Sequence, residues 1–136
     1  MYNRFVEDHK HEYTGLIVLT LAYPLTHFLI QYIPNPFVPN ASIALNMIFP
    51  ILAGYFYGPA SGGLAGLVGT GISALVVPDI FDVMSILPHT LMGIAAGWAG
   101  ASHSQFVAAI SIVIGHVLTI LFYWRFDLLV IDHPDT

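Results

Sequence analysis

Between Glu12 and Asp79 the chain carries no Asp, Glu, Lys or Arg, and between Asp82 and Arg125 it again carries none. These uncharged stretches run for 66 and 42 residues, whereas a water-exposed surface needs charged side chains every few positions. Only 8% of all residues are charged, against about 25% in an ordinary soluble domain. A water-soluble globule is therefore excluded as the starting point. The composition defines an all-α, polytopic integral membrane bundle in one domain, residues 1–136.

Crossing a hydrocarbon core about 30 Å thick takes roughly 20 apolar helical residues at about 1.5 Å each. Five segments fit that requirement: 14–33, 41–57, 60–77, 83–101 and 105–124. A polar tail, 1–13, precedes them and an acidic one, 125–136, follows. Pro34, Pro36 and Pro39, then Gly58-Pro59, then Pro78-Asp79 punctuate the chain between segments. No sustained apolar/polar alternation supports strands. The first apolar run is long and lacks a small-x-small cleavage site, so it reads as a span rather than a signal peptide. Arg4 and Lys10 at one end, against Arg125 at the other, favour a cytoplasmic N-terminus of a multi-pass protein in the plasma (inner) membrane. That orientation puts the loops at 34–40 and 78–82 outside.

Glycine recurs at three- and four-residue spacing (Gly54, Gly58, Gly62, Gly66, Gly69, Gly93, Gly97, Gly100). Such spacing makes small-residue faces on which helix backbones approach closely in lipid. Interfacial anchoring suits Tyr123, Trp124 and Trp98.

Polar groups inside a membrane are costly, so each is a candidate functional group. Counted inward from the external ends of their segments, His27, Asn46, Thr70, His89 and His116 all fall roughly 8 to 12 Å deep. Five helices thus place one polar group apiece in a single outer layer, with Pro24, Pro50 and Pro88 close by. The opposite halves are nearly all Ala, Gly, Leu, Ile and Val. This reads as a pocket that opens outward, although any lone imidazole also has the simpler option of bonding a neighbouring carbonyl. Asn35, in the Pro-stiffened stretch 31–40, and Asp79, with Asp82 and Asp127, would form its rim. The substrate-binding set expected from this layer is His27, Asn35, Asn46, Thr70, Asp79, His89 and His116.

Several chemistries find no support. There is no cysteine, hence no disulfide or thiolate site. No Gly-x-x-x-x-Gly-Lys phosphate loop, no His-Glu-x-x-His zinc motif and no recognisable serine nucleophile motif occurs, so no catalytic residue is assigned and the chain is not expected to be an enzyme. No basic patch exists to hold nucleic acid.

Three stretches carry a family likeness. Ile51-Leu52-Ala53-Gly54-Tyr55-Phe56-Tyr57-Gly58-Pro59 runs into Ser61-Gly62-Gly63-Leu64-Ala65-Gly66-Leu67-Val68-Gly69, and Pro88-His89-Thr90-Leu91-Met92-Gly93-Ile94-Ala95-Ala96-Gly97 follows. Together they resemble the S components of energy-coupling factor (ECF) transporters, with their Gly-Pro turn, glycine-rich third helix and Gly-containing fourth helix. The resemblance implies a substrate-capture subunit for a vitamin-like micronutrient. Its partners would be a transmembrane T component, ATP-binding subunits and the surrounding lipid. It implies no cofactor and no metal in the chain itself. The family fold has six helices, whereas five are expected here, since 126–136 is short and acidic. Family first helices carry an Ala-x-x-x-Ala face, where this chain has Ala22 and Thr26. Two rival readings stay open at this point. Seven histidines suit a His-ligated metal or haem protein, and small-residue faces suit a homo-oligomeric channel or carrier.

Overall fold

A computed structural model describes residues 2–30, 45–78 and 80–126. They form five helices and no strand: α1 (Tyr2–Ile30), α2 (Ile48–Tyr57), α3 (Pro59–Val76), α4 (Ile80–Ala101) and α5 (Gln105–Arg125). The fold is an all-α membrane bundle. By length and composition α3, α4 and α5 suffice to cross a bilayer.

Two boundaries differ from those read in the sequence. α1 starts at Tyr2, upstream of the expected 14, because residues 2–13 contain no Pro or Gly to stop a helix. α2 starts at Ile48 rather than 41, and its ten residues span only about 15 Å. Pro50 explains the late start. Lacking an N–H, it is tolerated in the first helical turn but not deep inside a helix. Asn46 consequently sits in the turn that precedes α2, where Phe49 N–H donates to its carbonyl at 3.2 Å. Pro24 and Pro88 stand within α1 and α4.

Successive helices alternate in direction, and the connections are tight. Gly58 is the entire link between α2 and α3. Its φ of 94° and ψ of 172° suit only glycine, and Pro59 follows at the first helical position, where a missing donor is harmless. The α4–α5 turn uses His103 at φ 51° and Ser104, whose side chain caps α5 by accepting from Val107 N–H at 3.3 Å.

α3 and α4 make the most extensive contact, with α2 against both. Backbone meets backbone there: a Cβ on Gly93 would land on the carbonyl of Gly62, and one on Gly54 on the carbonyl of Gly93. The core is built from small residues (Ala53, Ala65, Ala96, Ala99) around Tyr23 and Met92. α1 packs on α2 and α3, and α5 on α4. Large apolar side chains face outward instead, with Leu75 83% and Phe106 73% exposed. That inside-out distribution suits hydrocarbon surroundings.

Candidate functional site

Alternation of the helices brings the end of α1, the start of α2, the end of α3 and the start of α4 to one end of the bundle. Two hydrogen-bonded groups assemble there.

The first joins three elements at the mouth. His27 lies in the last turn of α1 and Asp82 in the first turn of α4, where an acidic side chain complements the positive helix end. His27 Nε2 stands 3.2 Å from Asp82 Oδ2, and Asn46 Nδ2 lies 3.3 Å from His27 Nδ1. The amide donates to Nδ1, and Nε2 meets the carboxylate as a close ion-pair contact, not an aligned hydrogen bond. Asp82 and Asn46 are both buried.

The second group is deeper. His89 on α4 is 6% exposed. Its Nδ1 lies 2.8 Å from the Tyr23 hydroxyl of α1 and 3.1 Å from Thr70 Oγ1 of α3, and the Tyr23 and His89 rings are tilted at 59°. Tyr23 and Thr70 are completely buried. Tyr23 reaches this position because Gly69 lets α1 lie close: a Cβ there would meet the Tyr23 side chain at 2.9 Å. One turn toward the mouth, Ser85 of α4 bonds Tyr123 of α5, and Tyr123 also donates to the Phe81 carbonyl at 3.2 Å. Tyr123 therefore ties α5 to α4 instead of simply sitting in an aromatic belt. Trp124 remains 65% exposed, as does Trp98 toward the other end.

Of the residues picked from sequence, His27, Asn46, Thr70 and His89 enter these two groups. His116 enters neither. It is exposed on α5, and its Nδ1–H donates to the Ile112 carbonyl of its own helix at 2.9 Å. Asn35 and Asp79 lie outside the described residues. Tyr23, Ser73, Ser85 and Tyr123 were not singled out as ligand-binding groups. For Tyr23 a signal existed, since it stands one helical turn before His27 on the same face.

Among the described residues, no three His, Asp or Glu side chains come together to hold a metal ion. A separate groove of about 330 Å³ lies between α1 and α3, lined by Leu16, Ile17, Thr20, Leu21, Leu64 and Val68. Its one polar group, the Thr20 hydroxyl, is engaged by the Leu16 carbonyl at 2.7 Å. It has no group with which to orient a polar solute.

Lipid-compatible walls, a glycine-packed centre and buried polar side chains gathered toward one end define a helical integral membrane protein. The family model described as ECF-type riboflavin transporter, S component, matches residues 13–133. The chain belongs to that family, whose members are the substrate-binding subunits of vitamin-type uptake transporters. No curated protein and no solved structure matches it.

Proposed function

We propose that this chain captures riboflavin, or a closely similar heteroaromatic vitamin, from outside the cell and passes it to a transmembrane T component driven by ATP-binding subunits. The observation that carries the reading is the gathering of His27, Asn46, Asp82, Tyr23, Thr70 and His89 toward one end of a bundle packed mainly through Gly and Ala. Riboflavin suits such a site. Its ring system is flat and uncharged, offers several hydrogen-bond acceptors and one donor, and has a large apolar face. The family's printed substrate supports the same choice. In this reading the polar end faces outward and the N-terminus lies in the cytoplasm. Asn35 and Asp79 belong to the two chain segments expected on that side and contribute to its rim. Nothing in the arrangement calls for bond chemistry. The chain binds and releases, and energy comes from its partners.

Riboflavin fluorescence provides the test. Titration into purified, detergent-solubilised protein is expected to give saturable quenching at one molecule per chain. A folded protein that leaves the fluorescence unchanged overturns the reading. Uptake into vesicles is expected only when the T component and ATP-binding subunits are present together with ATP.

A further inference from the structure

His89 is unevenly satisfied. Two hydroxyls converge on Nδ1, while Nε2 has no hydrogen-bond partner among the described residues, and the residue is 6% exposed. The buried hydroxyls decide which nitrogen carries the proton. Tyr23 and Thr70 each have a proton to place, and Nδ1 is the lone pair within reach of both. With the proton on Nδ1, at least one hydroxyl proton would be left without an acceptor in a fully buried setting, the costlier arrangement. With the proton on Nε2, one hydroxyl donates to the single Nδ1 lone pair and the other to its neighbour's oxygen, and the N–H is left at the partly accessible edge of the ring.

A second group without a partner lies on α3. Ser73 is fully buried and its Oγ has no hydrogen-bond partner among the described residues. At roughly 100° per residue, Ser73 points between Gly66 and Gly69 on α3. Gly66 packs against the His89 backbone and Gly69 against Tyr23, so Ser73 faces the centre of the bundle. It stands one turn beyond Thr70, toward the mouth. Buried polar groups are almost always satisfied by protein, water or ligand. The Ser73 hydroxyl, one turn along α3 from the Thr70 that holds His89, and the unbonded His89 Nε2 therefore mark a place where a partner is missing.

We propose that Tyr23 and Thr70 lock His89 in its Nε2–H form, and that this N–H, with the Ser73 hydroxyl, reads a carbonyl acceptor on the ring of the captured solute. Tyr23 acts as a positioning residue, through His89. The inference deepens the riboflavin reading and rests on it for the identity of the solute. It selects for heteroaromatic rings that present a carbonyl edge and against rings that present only donors there.

Nitrogen-15 NMR of histidine-labelled protein in nanodiscs, with His89 assigned by its loss in His89→Gln, tests the lock directly. The expected signature is a protonated Nε2 and a bare Nδ1, with Tyr23→Phe mixing the two forms. A proton on Nδ1 in the wild type overturns the inference, whether or not riboflavin binds. Riboflavin titration tests the reading role. His89→Leu is expected to weaken binding about tenfold, one good hydrogen bond, and Ser73→Ala about threefold. His89→Gln, which keeps an N–H near the same place, is expected to stay within about threefold of wild type. Replacing a ring carbonyl by a thiocarbonyl, at position 2 or 4, should weaken binding to wild type and not to His89→Leu. Equal binding by wild type and a folded His89→Leu means that these two groups are partnered by water only, and overturns the inference. A folded wild type that shows Nε2–H and binds no riboflavin overturns the choice of riboflavin and supports the donor assignment.

Discussion

Asp82 is buried at the mouth and held by His27 from another helix, with Asn46 completing the chain from a third element. Breaking one link strands the others, which is more damaging than the net strength of the contact. Asp82→Ala is accordingly expected to destabilise the protein by about 1–3 kcal/mol, read by reversible unfolding in mixed micelles. A change below a few tenths would contradict the geometry. How legible each residue was follows from its chemistry. An imidazole or amide in an uncharged stretch is conspicuous, and His27, Asn46 and His89 stood out for that reason. Tyr23, Ser73 and Ser85 did not, because hydroxyl side chains enter membrane helices readily by bonding a carbonyl one turn back, as Ser85 does with Phe81 at 2.7 Å. His116 looked equivalent to the other imidazoles until its orientation on α5 was known, and depth along a helix says nothing about direction around it.

At the scale of the element, glycine spacing in α3 and α4 gave a legible packing face, and contact between Gly62 and Gly93 is its structural result. Not every glycine there has the same role. A Cβ at Gly62 would strike the Gly93 carbonyl and the Gly54 backbone, whereas one at Gly71 would meet nothing within 4 Å. Gly62→Ala is expected to destabilise by about 1–3 kcal/mol or more through overpacking. Gly71→Ala is expected to stabilise by about 0.5–1 kcal/mol through helix propensity. Unfolding of the two variants side by side checks the contrast, and equal effects would contradict the packing described. Helix starts were less legible. Hydropathy carries an apolar run straight through Asn46 and Met47, while Pro50 moves the helical start to Ile48. At the other extreme, polar residues 2–13 look like a tail by hydropathy, yet nothing in them stops α1.

Across the whole molecule, the alternating helices bring separate buried polar residues to one end, and exposed Trp98 and Trp124 occupy α4 and α5 toward opposite ends of the bundle. The orientation is open to a clean test, because the chain has no cysteine. With the N-terminus inside, Val77→Cys, at the α3–α4 junction, is expected to react with a membrane-impermeant maleimide added to intact cells. His103→Cys, in the α4–α5 turn, is expected to react only after permeabilisation. The reverse pattern would turn the polar end to the cytoplasm and exclude capture from outside. The central claim, that this end grips one small organic solute, is tested most directly by native mass spectrometry of the wild-type protein released from detergent after incubation with riboflavin. A single adduct of riboflavin mass per chain is expected, sharply reduced in His89→Leu. A bare folded chain, or one carrying only a metal or haem, would contradict it.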